Sequence, residues 1–252
     1  MAGMGNRKRI GIVFALKQER RGFERVILGA RANSVTGGGL TWWSIGGIEL
    51  VAAVSGVGAE RSGQATEAIL DKGVDAVICA GFAAGLDGEL RVGDVLVARR
   101  VLGDTGPVEC CEIGRIASPP VELGYSVRRG DLVSHNSIVR TPAEKAEIHR
   151  TTGAWALDME SHAAGQVCQR RAVPFAAIRA VSDTVDQCLP GLVEALAATD
   201  RPLTRLAIAA ACPRAWPGLI RLRRQARVAA GNLGDFLGFL LVKTTQAAQG
   251  RR

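Results

Sequence analysis

Hydrophobic and polar positions fall into two kinds of block along this chain. Short, nearly unbroken apolar runs of strand length alternate with longer stretches whose apolar residues recur about every three to four positions. Residues 10–16, 74–80 and 173–181 are runs of the first kind, the last interrupted only by Pro174 and Arg179. Continuous rather than alternating apolarity suits strands covered on both faces. Residues 40–45 and 48–54 read as a strand pair around Gly46-Gly47, with further strands over 92–97 and 155–159. Helices are predicted over 59–72, 142–150 and 161–171. Thr141 and Pro142 supply an N-cap and a first helical residue for the second of these. Ala164, Val167 and Cys168 share one face of the third. Residues 101–130 lack a period and are expected to be irregular; the chain beyond Leu189 reads as helical.

Strands alternating with helices predict a sheet with helices on both faces. Ligands in such folds collect at the carboxyl ends of the strands. Four polar or glycine-rich stretches (17–19, 55–58, 81–85 and 182–187) follow predicted strands and are expected to converge on one pocket.

Composition narrows the picture. Hydrophobic residues are 47% of the chain but aromatics only 4%, so the core is expected to be aliphatic. No apolar run approaches the ~20 residues that span a bilayer. The basic start and apolar 10–16 resemble a secretory signal only loosely, since no small-residue cleavage site follows Arg21; a buried first strand in a cytoplasmic protein is expected instead. The six cysteines form no CxxC pair and the three histidines complete no metal spacing, so reduced, mostly buried thiols and no metal are expected. The net charge of +8 is uneven: residues 214–252 carry eight Lys or Arg and one acid, Asp235, hence +7. This divides the chain into a near-neutral catalytic domain, 1–213, and a basic helical extension of it, 214–252. A near-neutral body with few aromatics argues against a nucleic acid partner.

Three clusters carry candidate chemistry. Ser55-Gly-Val-Gly-Ala-Glu-Arg61 lacks the third glycine of a dinucleotide fingerprint and reads either as a tight turn or as a site for an anion or ribose hydroxyls. In Asp158-Met-Glu-Ser-His162 the acids either favour a helix dipole or serve a site. Ser182-Asp183 either caps a following element or carries function.

Taken in order, these segments resemble the methylthioadenosine/S-adenosylhomocysteine nucleosidases, within the purine nucleoside phosphorylase and nucleosidase superfamily. The matching motifs are Gly11-Ile-Val-Phe-Ala-Leu-Lys-Gln-Glu19, Ser55-Gly-Val-Gly58, Ala80-Gly-Phe-Ala-Ala-Gly-Leu86 with Val92-Gly-Asp94, Asp158-Met-Glu160, and Val173-Pro-Phe with Arg179-Ala-Val-Ser-Asp183. The resemblance implies an α/β fold of three layers, a twisted mixed β-sheet, partly closed and flanked by helices. It implies cleavage of a purine N-glycosidic bond, with Asp183 protonating the leaving base at N7 and Glu19 activating water. Glu160 would hold the ribose hydroxyls and Met159 pack on the sugar. Ser55, Gly56, Gly81 and Ser182 join them in substrate binding, and Val57, Phe82, Ser137 and Ile138 line the pocket for the base and its 5′ substituent. Two departures, Phe82 where the family often has Ser and Lys17-Gln18 where the nucleosidases carry acids, imply an altered pocket.

Asp158-Met-Glu-Ser-His162, Asp186-Gln-Cys-Leu-Pro190 and Pro217-Gly-Leu-Ile-Arg-Leu-Arg-Arg also resemble the hopanoid-associated phosphorylases, thought to remove adenine from adenosylhopane. Leu222, Ala226, Ala229, Leu233, Leu237 and Leu240 form one helical stripe, with Arg221, Arg223, Arg224 and Arg227 mainly off it. Either the stripe packs on the sheet, or the helix rests peripherally on the inner membrane. Gly231, Gly234 and Gly238 weaken a long helix there. The resemblance further implies a homodimer, a small-molecule purine nucleoside as ligand and no organic cofactor. Phosphate stays open as co-substrate in place of water, and a nucleoside-binding protein without catalysis is the alternative from another class.

Overall fold

The computed structural model describes residues 8–29, 33–111, 124–197, 199 and 212–249. Among these, ten strands make one sheet. Its middle is parallel: β4 (Ile48–Val54), β1 (Arg9–Phe14), β5 (Ala76–Gly85) and β10 (Phe175–Asp183) lie side by side in that order. β3 (Leu40–Ile45) and β2 (Asn33–Gly37) continue it antiparallel beyond β4. On the other side β5 pairs with β9 (Ala156–Asp158), β9 with β8 (Val127–Ser134), β8 with β6 (Val95–Leu102), and β6 with β10. Since β10 also pairs with β5, these strands close into a ring, the partial closure expected above. β7 (Val108–Glu109) adds to β6.

Alternation along the strands divides the core between two helical layers. Ile10, Ile12 and Phe14 pack with Phe23 of α1 (Lys17–Gly29) and with Leu233, Phe236 and Leu237 of α6 (Trp216–Gln249). Val13, Val77 and Cys79 face the other way, with Ile69 of α2 (Ala59–Leu70) and Ala164, Val167 and Cys168 of α4 (Ser161–Arg170). The third long helix, α3 (Pro142–Thr152), starts as predicted: Thr141 and Glu144 form a reciprocal capping box with Pro142 at the first turn. Gly153 ends it at φ 67°.

Several expectations need correction. β5 does not stop at Ala80; it runs through the glycine-rich stretch to Gly85 because β10 pairs with it as far as Ala84 and β9 at Ala84 and Gly85. β6 begins at Val95, after a turn whose Asp94 carboxylate accepts the N–H groups of Arg91 and Ser126, both at 2.9 Å. The stretch expected to be irregular holds the end of β6, β7 and the start of β8; its residues 112–123 lie outside the described residues. Beyond Leu189 the described residues are helical as expected: a short α5 (Leu192–Ala197), a 3₁₀ turn at Pro213–Ala215 and α6, with 198 and 200–211 outside the described residues. Of the six free cysteines only Cys79 and Cys168 are buried.

The glycines of α6 form a packing seam. A Cβ on Gly22 of α1 would lie 2.0 Å from the Ala230 carbonyl oxygen, and one on Gly234 would lie 2.3 Å from that of Gly22. The two helices touch backbone to backbone, and apolar burial of residues 229–241 offsets the propensity cost. No helix among the described residues is long and apolar enough to cross a membrane.

Candidate active site

Because β1, β4, β5 and β10 are parallel neighbours, their carboxyl ends open on one side of the sheet. Of the four stretches expected to converge, 17–19 opens α1 after β1, 55–58 is the turn between β4 and α2, 182–187 is the end of β10 with the turn after it, and 81–85 proved to be strand.

Glu19 stands in the first turn of α1, immediately after β1, and is 2% exposed. Its Oε2 accepts the Leu16 N–H at 2.7 Å, a local helix-start contact. Its Oε1 accepts the Phe82 N–H of β5 at 2.9 Å. Burial pushes its pKa up to about 7, against the lowering influence of Arg179 and the two N–H donors. A carboxyl group in that range exchanges protons near neutral pH.

Arg179 comes from the middle of β10 and is 1% exposed. Its Nη2 meets Asp158 Oδ2 at 2.6 Å. Nη2 and Nε donate to Ser161 Oγ at 2.7 and 3.1 Å, and Nη2 also approaches Cys79 Sγ at 3.0 Å. Burial opposes its charge, but Asp158, Cys79, Glu160 and Glu19 together hold it protonated. Nη1 is buried with no hydrogen-bond acceptor among the described residues.

Glu160 lies where β9 hands over to α4. Its Oε1 accepts the Gly58 N–H at 2.8 Å and its Oε2 the Met159 N–H at 3.3 Å. Gly58, at φ 109°, opens α2 with no side-chain cap of its own, so Glu160 caps that helix from across the fold. Burial and the neighbouring Asp158 raise the Glu160 pKa, while Arg179 and the two N–H groups restrain it. In the same turn Ser55 Oγ donates to the Gly56 carbonyl at 2.7 Å, and the Arg61 side chain folds against Gly56 at φ 86°. Val57 and Met159 are half-buried.

Asp183 closes β10 beside Ala84 of β5 and is 3% exposed. Ser182 Oγ donates to its Oδ1 at 2.7 Å, and Lys145 Nζ of α3 reaches its Oδ2 at 2.5 Å. Glu19 is held at Phe82 and Asp183 pairs with Ala84, two positions along one strand, or roughly 7 Å. The fold therefore gathers Glu19, Glu160, Gly81, Phe82, Ser182 and Asp183 at one sheet edge. Ser137 and Ile138 are not part of this hydrogen-bonded cluster: Ser137 is exposed and its hydroxyl pairs with His135 Nδ1 at 3.1 Å.

Sequence reasoning missed Arg179 and Lys145. An arginine inside an otherwise apolar strand was the available signal, because a buried guanidinium requires a carboxylate partner. Lys145 gave none, standing among the charged residues of α3.

Most of the chain has counterparts of known structure. It matches the 5′-methylthioadenosine/S-adenosylhomocysteine nucleosidase of Helicobacter pylori with a TM-score of 0.73 and 19% identity, over 95% of this chain and 100% of that one. The corresponding enzyme of Neisseria meningitidis gives 0.70 and 23%, over 94% and 99%. Futalosine hydrolase of Helicobacter pylori strain 26695 gives 0.71 and 19%, over 94% and 98%. Identities this low establish a common fold. The sequence also matches a family description directly, over residues 9–212, and on that match the chain belongs to the Phosphorylase superfamily.

Proposed function

We propose that this protein is a purine nucleosidase that releases the base, adenine in our reading, by breaking the N-glycosidic bond. The observation that carries the proposal is the cluster at the strand ends in which Glu19 and Glu160 face the buried Arg179 while Asp183, paired with Ala84 of β5, stands beside the Phe82 N–H that holds Glu19. Departure of the base leaves positive charge on the sugar and requires a proton on the purine, so the chemistry asks for an acid on one side and a base with water on the other. Asp183 is the acid. Glu19, poised near 7, is the base that takes a proton from water. Glu160 holds the ribose hydroxyls, and Met159 packs on the sugar. Ser55, Gly56, Gly81, Ser182, Val57 and Phe82 complete the binding surface.

Arg179 Nη1, which finds no acceptor among the described residues, is available to the oxygen of the nucleophile, and a guanidinium serves water or phosphate. Glu19 favours water. The relatives named above as nucleosidases and a hydrolase support the same choice. The test is adenine release from methylthioadenosine, S-adenosylhomocysteine, a futalosine-like compound and a 5′-alkyl adenosine, each with and without phosphate. Release without phosphate from at least one of them is expected; release from none would remove the proposal.

The sequence resemblance to hopanoid-associated enzymes suggests a lipid-bearing 5′ group, adenosylhopane among the possibilities, and one feature of α6 favours it. Trp216, Ile220 and Val228 are exposed large apolar residues, 49, 53 and 50% accessible. Trp216 and Ile220 share an arc of about 100° with Arg223, Arg224 and Arg227. Arg21, Arg25, Arg223 and Arg227 also line a groove of about 480 Å³ between α1 and α6. Apolar side chains among cations that have no ion pair among the described residues suit an anionic bilayer surface. In this reading residues 1–213 are the catalytic domain and 214–252 its peripheral membrane contact in a cytoplasmic homodimer. Co-sedimentation with anionic but not neutral vesicles, lost in W216S/I220S, checks the contact.

A further inference from the structure

Lys145 is 0% exposed, and all three hydrogens of its ammonium are engaged. They go to Asp183 Oδ2 at 2.5 Å, to the Thr184 carbonyl at 2.7 Å and to the Gln187 carbonyl at 3.2 Å. Two of the three anchors are backbone groups of the turn that follows β10, itself tied to the start of α3 by the Leu189 N–H on the Arg140 carbonyl. The ammonium therefore has one fixed position, and Asp183 is held by it on one oxygen and by Ser182 on the other. A burial this complete is costly for a lysine unless its charge is used.

We infer that Lys145 is the positioning residue for Asp183, fixing the carboxyl group and stabilising the negative charge it acquires as the base departs. The inference rests on the reading of Asp183 as the general acid. In that step the C1′–N9 bond breaks and its electron pair passes to the purine. Asp183, a carboxylate facing Lys145 in the free protein, takes a proton from solvent as the purine binds; that proton moves to N7 as the bond breaks, and Asp183 is a carboxylate again. The charge appears on a group whose Oδ2 already faces Lys145 Nζ, so the contact is stronger in the transition state than in the ground state and acts on kcat rather than on binding. After the base leaves, Asp183 stays paired with Lys145 as a carboxylate until the next purine binds.

A double-variant cycle with adenine release as the readout tests this. K145M is expected to lower kcat about 10²-fold, within the range for an electrostatic partner of a reacting group. Binding of free adenine, measured by titration calorimetry, should change by less than about threefold, on the same argument that ground-state contacts are little affected. K145R, which restores a cation, should recover part of the lost kcat. In the D183N background the lysine no longer has a carboxylate to serve, so K145M/D183N should be no slower than D183N. A kcat for K145M close to that of the unaltered protein would overturn the inference. An equal fractional loss in both backgrounds would do the same, because it would mean that Lys145 only staples the turn. Should K145M fail to fold, the comparison of K145R with the unaltered protein and of the double variant with D183N decides the matter. If the unaltered protein releases no adenine from any substrate, the functional reading itself falls, a result distinct from either failure above.

Discussion

The Glu19 carboxylate occupies the space that a side chain on Gly81 would need: a Cβ there would lie 2.8 Å from Glu19 Oε1. Arg179 Nη1 would be nearer still, at 2.3 Å. The glycine in mid-strand is thus a requirement of the site. G81A should push both charged groups off their partners, lowering kcat/KM by two orders of magnitude or more on the scale of roughly 10²-fold for an angstrom-sized misplacement. The overpacking should cost about 1–3 kcal/mol, read by urea unfolding.

Burial of Glu19 makes both activity and stability depend on pH. Its pKa is raised from 4.5 to about 7, so the folded state holds this proton more tightly than the unfolded chain does. The associated stability is fully present below pH 4.5 and is lost as pH rises through 7, about 3 kcal/mol in all by linkage. The base needs the ionised form, so kcat/KM should rise with pH through an apparent pKa near 7. E19Q should abolish that limb and flatten the stability slope between pH 4.5 and 7, measured by denaturant titration at each pH.

Arg179 faces three buried carboxylates, and its loss would leave Asp158 without its 2.6 Å partner. R179M should destabilise the fold by about 3–5 kcal/mol, the usual result of stranding a buried charge. Arg179 also lowers the pKa of Glu19 and Glu160, so whatever activity survives should have its alkaline-rising limb displaced to higher pH. A pH–rate profile together with a melting curve reads both effects.

Two glycines of α6 should respond in opposite directions. G234A drives a methyl group against the Gly22 carbonyl and should cost about 1–3 kcal/mol. A Cβ on Gly231 meets nothing within 4 Å, so G231A should gain about 0.5–1 kcal/mol from helix propensity alone. Comparing the two melting temperatures is sufficient.

Much of this architecture was legible because buried parallel strands announce themselves as apolar runs: residues 10–16, 74–80 and 173–181 each became a central strand. The reading failed where a residue's reason lay elsewhere in the fold. Gly81 and Gly85 looked like loop residues because glycine usually marks a turn, whereas here each is in β5 and Gly81 makes room for Glu19 and Arg179. Gly234 looked like a flaw in a helix and is a contact with α1.

The order of residues by itself determined the alternation of strands and helices, the cap at Thr141 and the identity of the acidic groups worth watching, because these follow from periodicity and short-range chemistry. Only the tertiary structure decided what those acids face. Glu19 titrates near neutrality because distant segments exclude water from it, and Asp183 is met by a lysine 38 positions away along the chain. Desolvation and charge pairing act through space, over distances of a few ångströms, and no local pattern encodes them.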